Sequence, residues 1–417
     1  MNVIQKIFAE EIFNAQGLPT IQCTIELSNG QIIKSSIPSG FTTPESATPY
    51  AYDNNNRLIQ QRMQQAIAYI NNNIVPLLIK NPVNALLMDS QLMDLHATQP
   101  DDALGSNTTL VVSIALFKAQ AASENIELFQ LLQSISGTAQ VSIPQPLVSL
   151  FELRQPNSLQ DIKEVVAFPA HKNTSYQQQL HSMIMLHHHA KKILEIKNLS
   201  TNTGQYGSFA PDIKSFHEIL DVIAKTIQTL PEQTYQFGLN VAANDLYDPS
   251  TKTYHWNNQA VTSSMLINDY DSLLKAHPHI TYLQDAIASQ DSAGWKQLSS
   301  QLPLSVYDAA DQIFGTNPMK IRWGILQKIA NIVIIKPEYI STISQTLAAI
   351  DACKNNNKAF LISGDSLGTN DNFISDLAVG TGATFLKAGA PSGSEHMTKY
   401  NRLLEIERLL HPELKQN

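Results

Sequence analysis

From Pro144 onward the chain keeps one rhythm: short apolar runs alternate with segments long enough to be helices. The runs are Glu164–Phe168, Tyr235–Asn240, Ile280–Gln284, Ser305–Tyr307, Ile332–Lys336, Phe360–Ser363 and Thr384–Lys387. Strands separated by helices are joined by crossovers, so the pattern predicts a parallel α/β architecture. Several runs finish on a polar residue: Asn240, Gln284 with Asp285, Lys336, Ser363 and Lys387, while Asp311 follows another. In a (β/α)₈ barrel the strand ends form the active-site face. Spacing alone therefore gives a barrel whose mouth holds two lysines and carboxylates.

The first part of the chain reads differently. Thr20–Pro38 is a β-hairpin by its two alternating runs about Ser28-Asn29-Gly30. Helical periodicity follows at Arg57–Asn72, Val83–Leu95 and through Thr109–Ser136. Residues 1–135 are expected to form an α+β unit, and residues 140–417 the barrel.

Composition removes several classes of function. The net charge of −8 argues against a nucleic-acid binder, which would need basic patches to neutralise phosphates, so nucleic acid is not an expected partner. Charged residues make up only 15%, and runs such as Asn54–Asn56, Gln177–Gln179 and Asn355–Asn357 supply polar surface instead. No apolar stretch is long enough to span a bilayer. Met1–Phe13 lacks the basic start and unbroken apolar run of a signal peptide, and the two cysteines, Cys23 and Cys353, sit in apolar settings. A reduced, cytoplasmic setting is the expectation, with neither a disulfide framework nor a cysteine zinc site.

Motifs in order along nearly the whole chain narrow the reading. They are Ala9-Glu10-Glu11-Ile12, Gly17-Leu18-Pro19-Thr20, Ile37-Pro38-Ser39-Gly40, Leu104-Gly105-Ser106-Asn107 and Gly207-Ser208-Phe209-Ala210-Pro211. Later come Thr316-Asn317-Pro318, Asp376-Leu377-Ala378-Val379-Gly380, Lys387-Ala388-Gly389-Ala390-Pro391 and Lys399-Tyr400-Asn401-Arg402-Leu403-Leu404. Together they resemble the enolase family, which interconverts 2-phosphoglycerate and phosphoenolpyruvate with magnesium. The resemblance implies an α/β fold, an enolase-type modified (β/α)₈ barrel of pattern ββαα(βα)₆, with an N-terminal α+β cap domain.

That chemistry sets demands. Removing a proton beside a carboxylate builds a dianion-like intermediate, which a divalent cation must neutralise. Magnesium prefers carboxylate oxygens in near-octahedral geometry. A lysine acts as base, an acid helps expel hydroxide and cationic groups hold the phosphate.

By resemblance, the family's metal carboxylates fall at Asn240, Gln284 and Asp311, so two of three are amides. The leaving-group acid falls at Tyr206, in Gly204-Gln205-Tyr206-Gly207. The phosphate-holding histidine and arginine fall at Gly364 and Asp365, and Asp365 would repel a phosphate. The family's Asn-Gly-Gly-x-His segment reads Ser149-Leu150-Phe151-Glu152-Leu153-Arg154, in which Arg154 is the candidate partial replacement for the histidine. Lys336 aligns with the base and Lys387 with the second lysine. Glu164 aligns with an assisting carboxylate, Ser366 with a phosphate-loop serine and Thr42 with a mobile-loop serine. The lysines have a second reading, as partners of Asp311, Asp285 or Glu164 in a residual charge network.

Other features carry less chemistry. In His187-His188-His189, adjacent histidines on a helix point apart, and the family has a structural His-His pair at His188 and His189. Gly380-Thr381-Gly382-Ala383 reads as a helix-to-strand turn, not a phosphate loop. Trp295 reads as core.

The function expected is a pseudoenzyme, a binding or regulatory scaffold without ordinary 2-phosphoglycerate dehydration. The alternative is a repurposed lyase-type enzyme using Lys336 and Lys387 on a carbonyl or carboxylate substrate, with Tyr206 as proton donor; behind it stands a weak magnesium-dependent enolase. No cofactor is expected beyond weakly held magnesium. The expected partners are a small anionic or carbonyl ligand, a protein, and a second copy in a homodimer, although Gln16, Gly393 and His396 replace family arginines.

Overall fold

The computed structural model describes residues 2–38, 56–97, 105–154, 161–171, 174–213, 215–230, 235–364 and 368–413. The chain begins with a three-stranded antiparallel sheet, β1 (Ile4–Phe13), β2 (Pro19–Leu27) and β3 (Ile32–Ser36), in that order. The predicted hairpin is β2–β3, and its turn places Gly30 at φ 84, a left-handed value that suits glycine. Along β2, Ile21, Cys23, Ile25 and Leu27 are fully buried. Gln22 and Glu26, at alternate positions, stay partly exposed, the period-two pattern of a half-buried sheet.

Helices α1 (Asn56–Tyr69), α2 (Val75–Leu78), α3 (Ala85–Ala97), α4 (Ser106–Glu124) and α5 (Leu128–Ser136) follow. A π-helical turn, Ile70–Ile74, joins α1 to α2. There the Asn71 amide bonds both the N–H and the carbonyl of Ala9, at 2.8 and 2.9 Å, tying the turn to β1. The helical periodicity expected through Thr109–Ser136 is in fact two helices. Asn125 turns left-handed at φ 53 and ends α4, and Glu127 opens α5 with a capping box to Gln130. Helix α4 is buried on almost every side because it lies between the sheet and the barrel. Ser35 Oγ donates to the Val111 carbonyl on one side, and Thr109 Oγ1 donates to the Ser341 carbonyl on the other.

The second part contains β4 (Gln145–Pro146), β5 (Val148–Glu152), β6 (Glu164–Pro169), α6 (Tyr176–Ile196), α7 (Phe216–Thr229) and β7 (Tyr235–Asn240). A small antiparallel excursion, β8 (Tyr247–Asp248), β9 (Thr253–Trp256) and β10 (Gln259–Val261), comes next. The chain continues as α8 (Ser263–Ala276), β11 (Ile280–Gln284), α9 (Ser292–Gln301), β12 (Tyr307–Ala310), α10 (Pro318–Leu326), β13 (Ile332–Ile335), α11 (Ile343–Lys354), β14 (Ala359–Ser363), α12 (Phe373–Thr381), β15 (Phe385–Lys387) and α13 (Ser394–Leu410).

Among the described residues, the sheet runs β4-β15-β14-β13-β12-β11-β7-β6-β5. Because β4 and β5 are halves of one strand broken at Leu147, this row closes into a barrel. The Leu147 N–H still donates to the Leu386 carbonyl, and the Ser149 N–H to that of Gly389. Strand β6 is antiparallel to both neighbours, β5 and β7, whereas the remaining pairs are parallel. Two strands, two helices and then strand–helix repeats give the expected ββαα(βα)₆ order.

The barrel is packed rather than hollow. Leu147, Val166, Phe168, Tyr282, Ala309, Ile332, Ile334, Leu361 and Phe385 form its interior cluster. At the end away from the mouth, the rings of Phe168, Tyr307 and Phe385 meet edge to face, at 5.2–6.2 Å between centroids. One strand is displaced from its sequence assignment: β12 is Tyr307–Ala310, not Ser305–Tyr307. The Val306 N–H closes a turn on the Pro303 carbonyl, and the buried Asp308 interrupts the apolar run that would have announced the strand. Trp295 is fully buried, and Gly382, left-handed at φ 79, ends α12 before β15 as a helix-to-strand turn.

Candidate active site

The polar residues gather at one end because of strand direction. Asn240, Gln284 and Lys387 end parallel strands, and Asp311 and Lys336 follow β12 and β13 directly. Since β6 runs the other way, its first residue, Glu164, reaches the same end. In register, Asn240 pairs with both Glu164 and Gln284, so these three stand side by side across adjacent strands.

Glu164 is fully buried and heavily bonded. Lys387 Nζ lies 2.7 Å from its Oε2, and Asn240 Nδ2 donates to the same oxygen at 3.1 Å. Ser149 Oγ donates to Oε1. Burial alone would raise the carboxyl pKa. The Lys387 ammonium and the three hydrogen bonds outweigh burial and hold it below the usual carboxylate range. Lys387 also donates to Gln284 Oε1 at 3.1 Å, which takes a further bond from the Tyr282 hydroxyl at 3.2 Å.

A second pair lies beside the first. Lys336 Nζ is 2.7 Å from Asp311 Oδ2 and donates to the Tyr339 hydroxyl at 2.8 Å. Asp285 follows β11 with its backbone left-handed at φ 45, an arrangement Asp tolerates better than most residues. That turn aims Oδ1 at the N–H groups of Asp311 and Gln312, at 2.9 and 3.2 Å. Burial, and then the neighbouring Asp311 charge, push the Asp285 carboxyl up to about 7.

The loop carrying Tyr206 leans on Glu152, at the end of β5. The Tyr206 N–H donates to Glu152 Oε2 at 3.3 Å, and a Cβ on Gly204 would come within 2.2 Å of that oxygen. Glycine lets the loop lie this close without displacing the Glu152 carboxylate. Burial raises the Glu152 carboxyl above its usual range, and the Glu164 charge adds to the rise. Behind the loop, His396 packs where side chains on Gly207 and Gly389 would stand, and its Nδ1 faces the Ser392 carbonyl at 2.9 Å.

The structure thus brings together Glu164, Lys387, Asn240, Gln284, Asp311 and Lys336. Tyr206 joins them, its ring centroid 6.0 Å from Lys387 Nζ. Arg154 is placed differently. It donates to the carbonyls of Asp161, Val241 and Ala242 and pairs with Asp245 at 3.0 Å, bracing the loops after β5 and β7. Thr42, Asp365 and Ser366 lie outside the described residues. His187 stacks on Phe209 at 4.4 Å while His188 is exposed, so the histidine run diverges. Sequence reasoning passes over Ser149, Glu152, Tyr282 and Tyr339. Glu152 carries the same signal as the others, a charged residue ending an apolar run.

A divalent cation fits this donor set poorly. Asn240, Gln284 and Asp311, the positions expected from the resemblance to hold a metal, offer one carboxylate and two amides. Gln284 Oε1 already takes two donors, and Asp311 Oδ2 is held by an ammonium. Among the described residues, no three carboxylate, imidazole or thiol side chains converge as a metal site. Magnesium, which needs hard and preferably charged oxygens in octahedral array, is not matched here.

Comparison with known proteins agrees with the fold. The family model "Enolase, C-terminal TIM barrel domain" matches residues 151–416, and "Enolase, N-terminal domain" matches residues 4–132. The protein named Enolase from Ehrlichia ruminantium (strain Welgevonden) is 33% identical over 98% of this chain and 97% of its own length. Enolase from Natranaerobius thermophilus is 31% identical over 99% and 96%. Enolase 1 from Lactococcus lactis subsp. cremoris is 30% identical over 98% and 97%. The chain belongs to the enolase family.

Proposed function

We propose that this family member does not carry out ordinary 2-phosphoglycerate dehydration and serves as a ligand-binding or regulatory scaffold. The observation that carries this reading is the pairing of both mouth lysines with buried carboxylates: Lys387 with Glu164 and Lys336 with Asp311, each at 2.7 Å. An ammonium locked in an ion pair is neither base nor nucleophile until its proton leaves. By resemblance, the amides at Asn240 and Gln284 replace two charges that would offset a dication, and Tyr206 replaces the family's leaving-group acid. Loss of one preorganised electrostatic group typically lowers a rate about 10²–10³-fold, so losing several together leaves no appreciable turnover. The test is phosphoenolpyruvate formation from 2-phosphoglycerate with excess magnesium. No signal above a protein-free blank is expected, and turnover within about 10³-fold of a working family member would reject the reading.

A repurposed lyase is favoured by one arrangement. Each lysine has a tyrosine beside it: Tyr339 bonded to Lys336, and the Tyr206 ring near Lys387. Borohydride reduction with simple keto acids, followed by peptide mapping, would label a lysine if imine chemistry occurs; the scaffold reading predicts no label. Family membership supports a homodimer in the cytoplasm, which light scattering and fractionation test. Among the described residues, no helix is long and apolar enough to cross a membrane.

A further inference from the structure

Among the described residues, two oxygens at the barrel mouth have no hydrogen-bond partner: Asn240 Oδ1 and Asp311 Oδ1. Both residues are at least nine-tenths buried, at 5% and 2% exposure. The orientation of the Asn240 amide is fixed chemically. Glu164 is an ionised acceptor, so the Asn240 NH₂ must face it and Oδ1 must face away. Asp311 spends Oδ2 on Lys336 and leaves Oδ1 over. The two residues flank Gln284, which pairs in register with Asn240 on one side and with Ala309, two residues before Asp311, on the other. Gln284 Oε1 already accepts from Lys387 and Tyr282. What is left is a pair of acceptors to which none of the described residues donates.

Charge points the same way. Glu164 and Asp311 balance the ammoniums of Lys387 and Lys336, and the Glu152 and Asp285 carboxyls, which burial raises, add only negative charge as they ionise. These groups leave no positive surplus for an anion, and the acceptors left over favour a cation. A dication is the wrong species, because only one of the two free oxygens belongs to a carboxylate and both ammoniums stand close by. A carboxylate oxygen with an amide oxygen suits a singly charged cation, which surrenders its water more readily than magnesium does.

We infer that the mouth binds a singly charged cation, either an alkali ion or the primary ammonium group of a small molecule, seated on Asn240 Oδ1 and Asp311 Oδ1. This deepens the scaffold reading and rests on it, and it replaces the expected anionic ligand with a cationic one.

The experiment uses the full chain, with thermal unfolding followed in sodium, potassium, ammonium or methylammonium chloride. Tetramethylammonium chloride at matched ionic strength is the control, and magnesium chloride a separate arm. A saturable rise in Tm with a small monocation, absent with tetramethylammonium, is expected. Sodium-23 NMR line broadening on the wild-type protein, reversed by the competing ion, reads the same site without any variant. Asn240→Leu should weaken binding at least tenfold, its fold being checked by circular dichroism. A response to ammonium and methylammonium alone assigns an amine ligand, whereas a response to sodium or potassium assigns an alkali ion. Equal effects of all monovalent salts with no sodium broadening would mean that water alone fills the place, and the inference falls. Selective, saturable stabilisation by magnesium overturns it as well. Turnover of 2-phosphoglycerate is a separate result, and it defeats the scaffold reading whatever the salt series gives.

Discussion

Two buried charge clusters in this molecule are built on different rules. On α13, Arg402 grips Asp376 with two parallel bonds of 2.9 and 2.8 Å and reaches Glu127 at 2.6 Å. Asp376 Oδ1 also accepts the Phe129 N–H, so both of its oxygens are used and α5, α12 and α13 are clamped together. At the barrel mouth, two lysines pair with Glu164 and Asp311, yet Asn240 Oδ1 and Asp311 Oδ1 are left over. A guanidinium fork closes its network, whereas point-charge ammoniums leave theirs open. A closed cluster specifies packing. An open one, buried at the barrel mouth, is what the proposed ligand site requires.

The largest effect is expected at the closed cluster. Arg402→Ala leaves Asp376 buried and uncompensated, and denaturant titration should show a loss of about 3–5 kcal/mol. Arg402→Lys keeps the charge without the fork and should fall between. A loss below about 1 kcal/mol for the alanine variant would place Arg402 among weak surface pairs and break the contrast.

At the mouth, Lys387→Met should destabilise by about 2 kcal/mol, less than Arg402→Ala because Ser149 and Asn240 still donate to Glu164. The folded Glu164 carboxyl lies below its ordinary 4.5. The pair therefore stabilises above that pH and fades as pH falls through the folded value, so wild type and variant should converge in acid. Adding Glu164→Gln to Lys387→Met should recover most of the loss at pH 7. A gap between wild type and Lys387→Met that does not change with pH would contradict the ion-pair account.

The smallest effect concerns a carboxyl outside both clusters. Burial pushes Asp308, bonded to Ser299, up to about 7 from an ordinary 3.8. Here the sign reverses: the folded state holds its proton more tightly, so this group's contribution to stability declines as pH rises from about 4 to 7. Asp308→Asn should thus gain on wild type between pH 6 and pH 8 by about 1.4 kcal/mol, read from urea midpoints. An unchanged difference across that range would show that Asp308 is ionised throughout.

Much of the fold was legible in the residues because barrels punctuate themselves: apolar strands that end on Asn240, Gln284 and Lys387 declare both the wall and its polar rim. Asp308 obscured β12 because a buried carboxylate supported by Ser299 looks like surface in a sequence. The left-handed stop at Asn125 hid inside a continuous helical periodicity, since local backbone conformation leaves little trace in apolar spacing. Glu164 was legible as a site residue only through the family motif. Its place at the start of a run gains meaning once β6 is known to be reversed. The pairing of lysines and carboxylates could be offered from the sequence but not fixed, because it depends on side chains meeting across strands distant in the chain. The positions of Arg154 and Glu152 show the same limit, with the first turned into loop carbonyls and the second turned under the Tyr206 loop.

On the reading proposed above, the amides of Asn240 and Gln284 and the ammoniums of Lys336 and Lys387 make the mouth unsuited to a dication. The most direct test is an electron paramagnetic resonance titration of manganese(II) into the wild-type chain and the Asn240→Asp/Gln284→Glu double variant. The account predicts that wild type leaves the free-ion signal at full intensity, while the variant, with two carboxylates restored, quenches it stoichiometrically. Stoichiometric quenching by wild type would contradict the account.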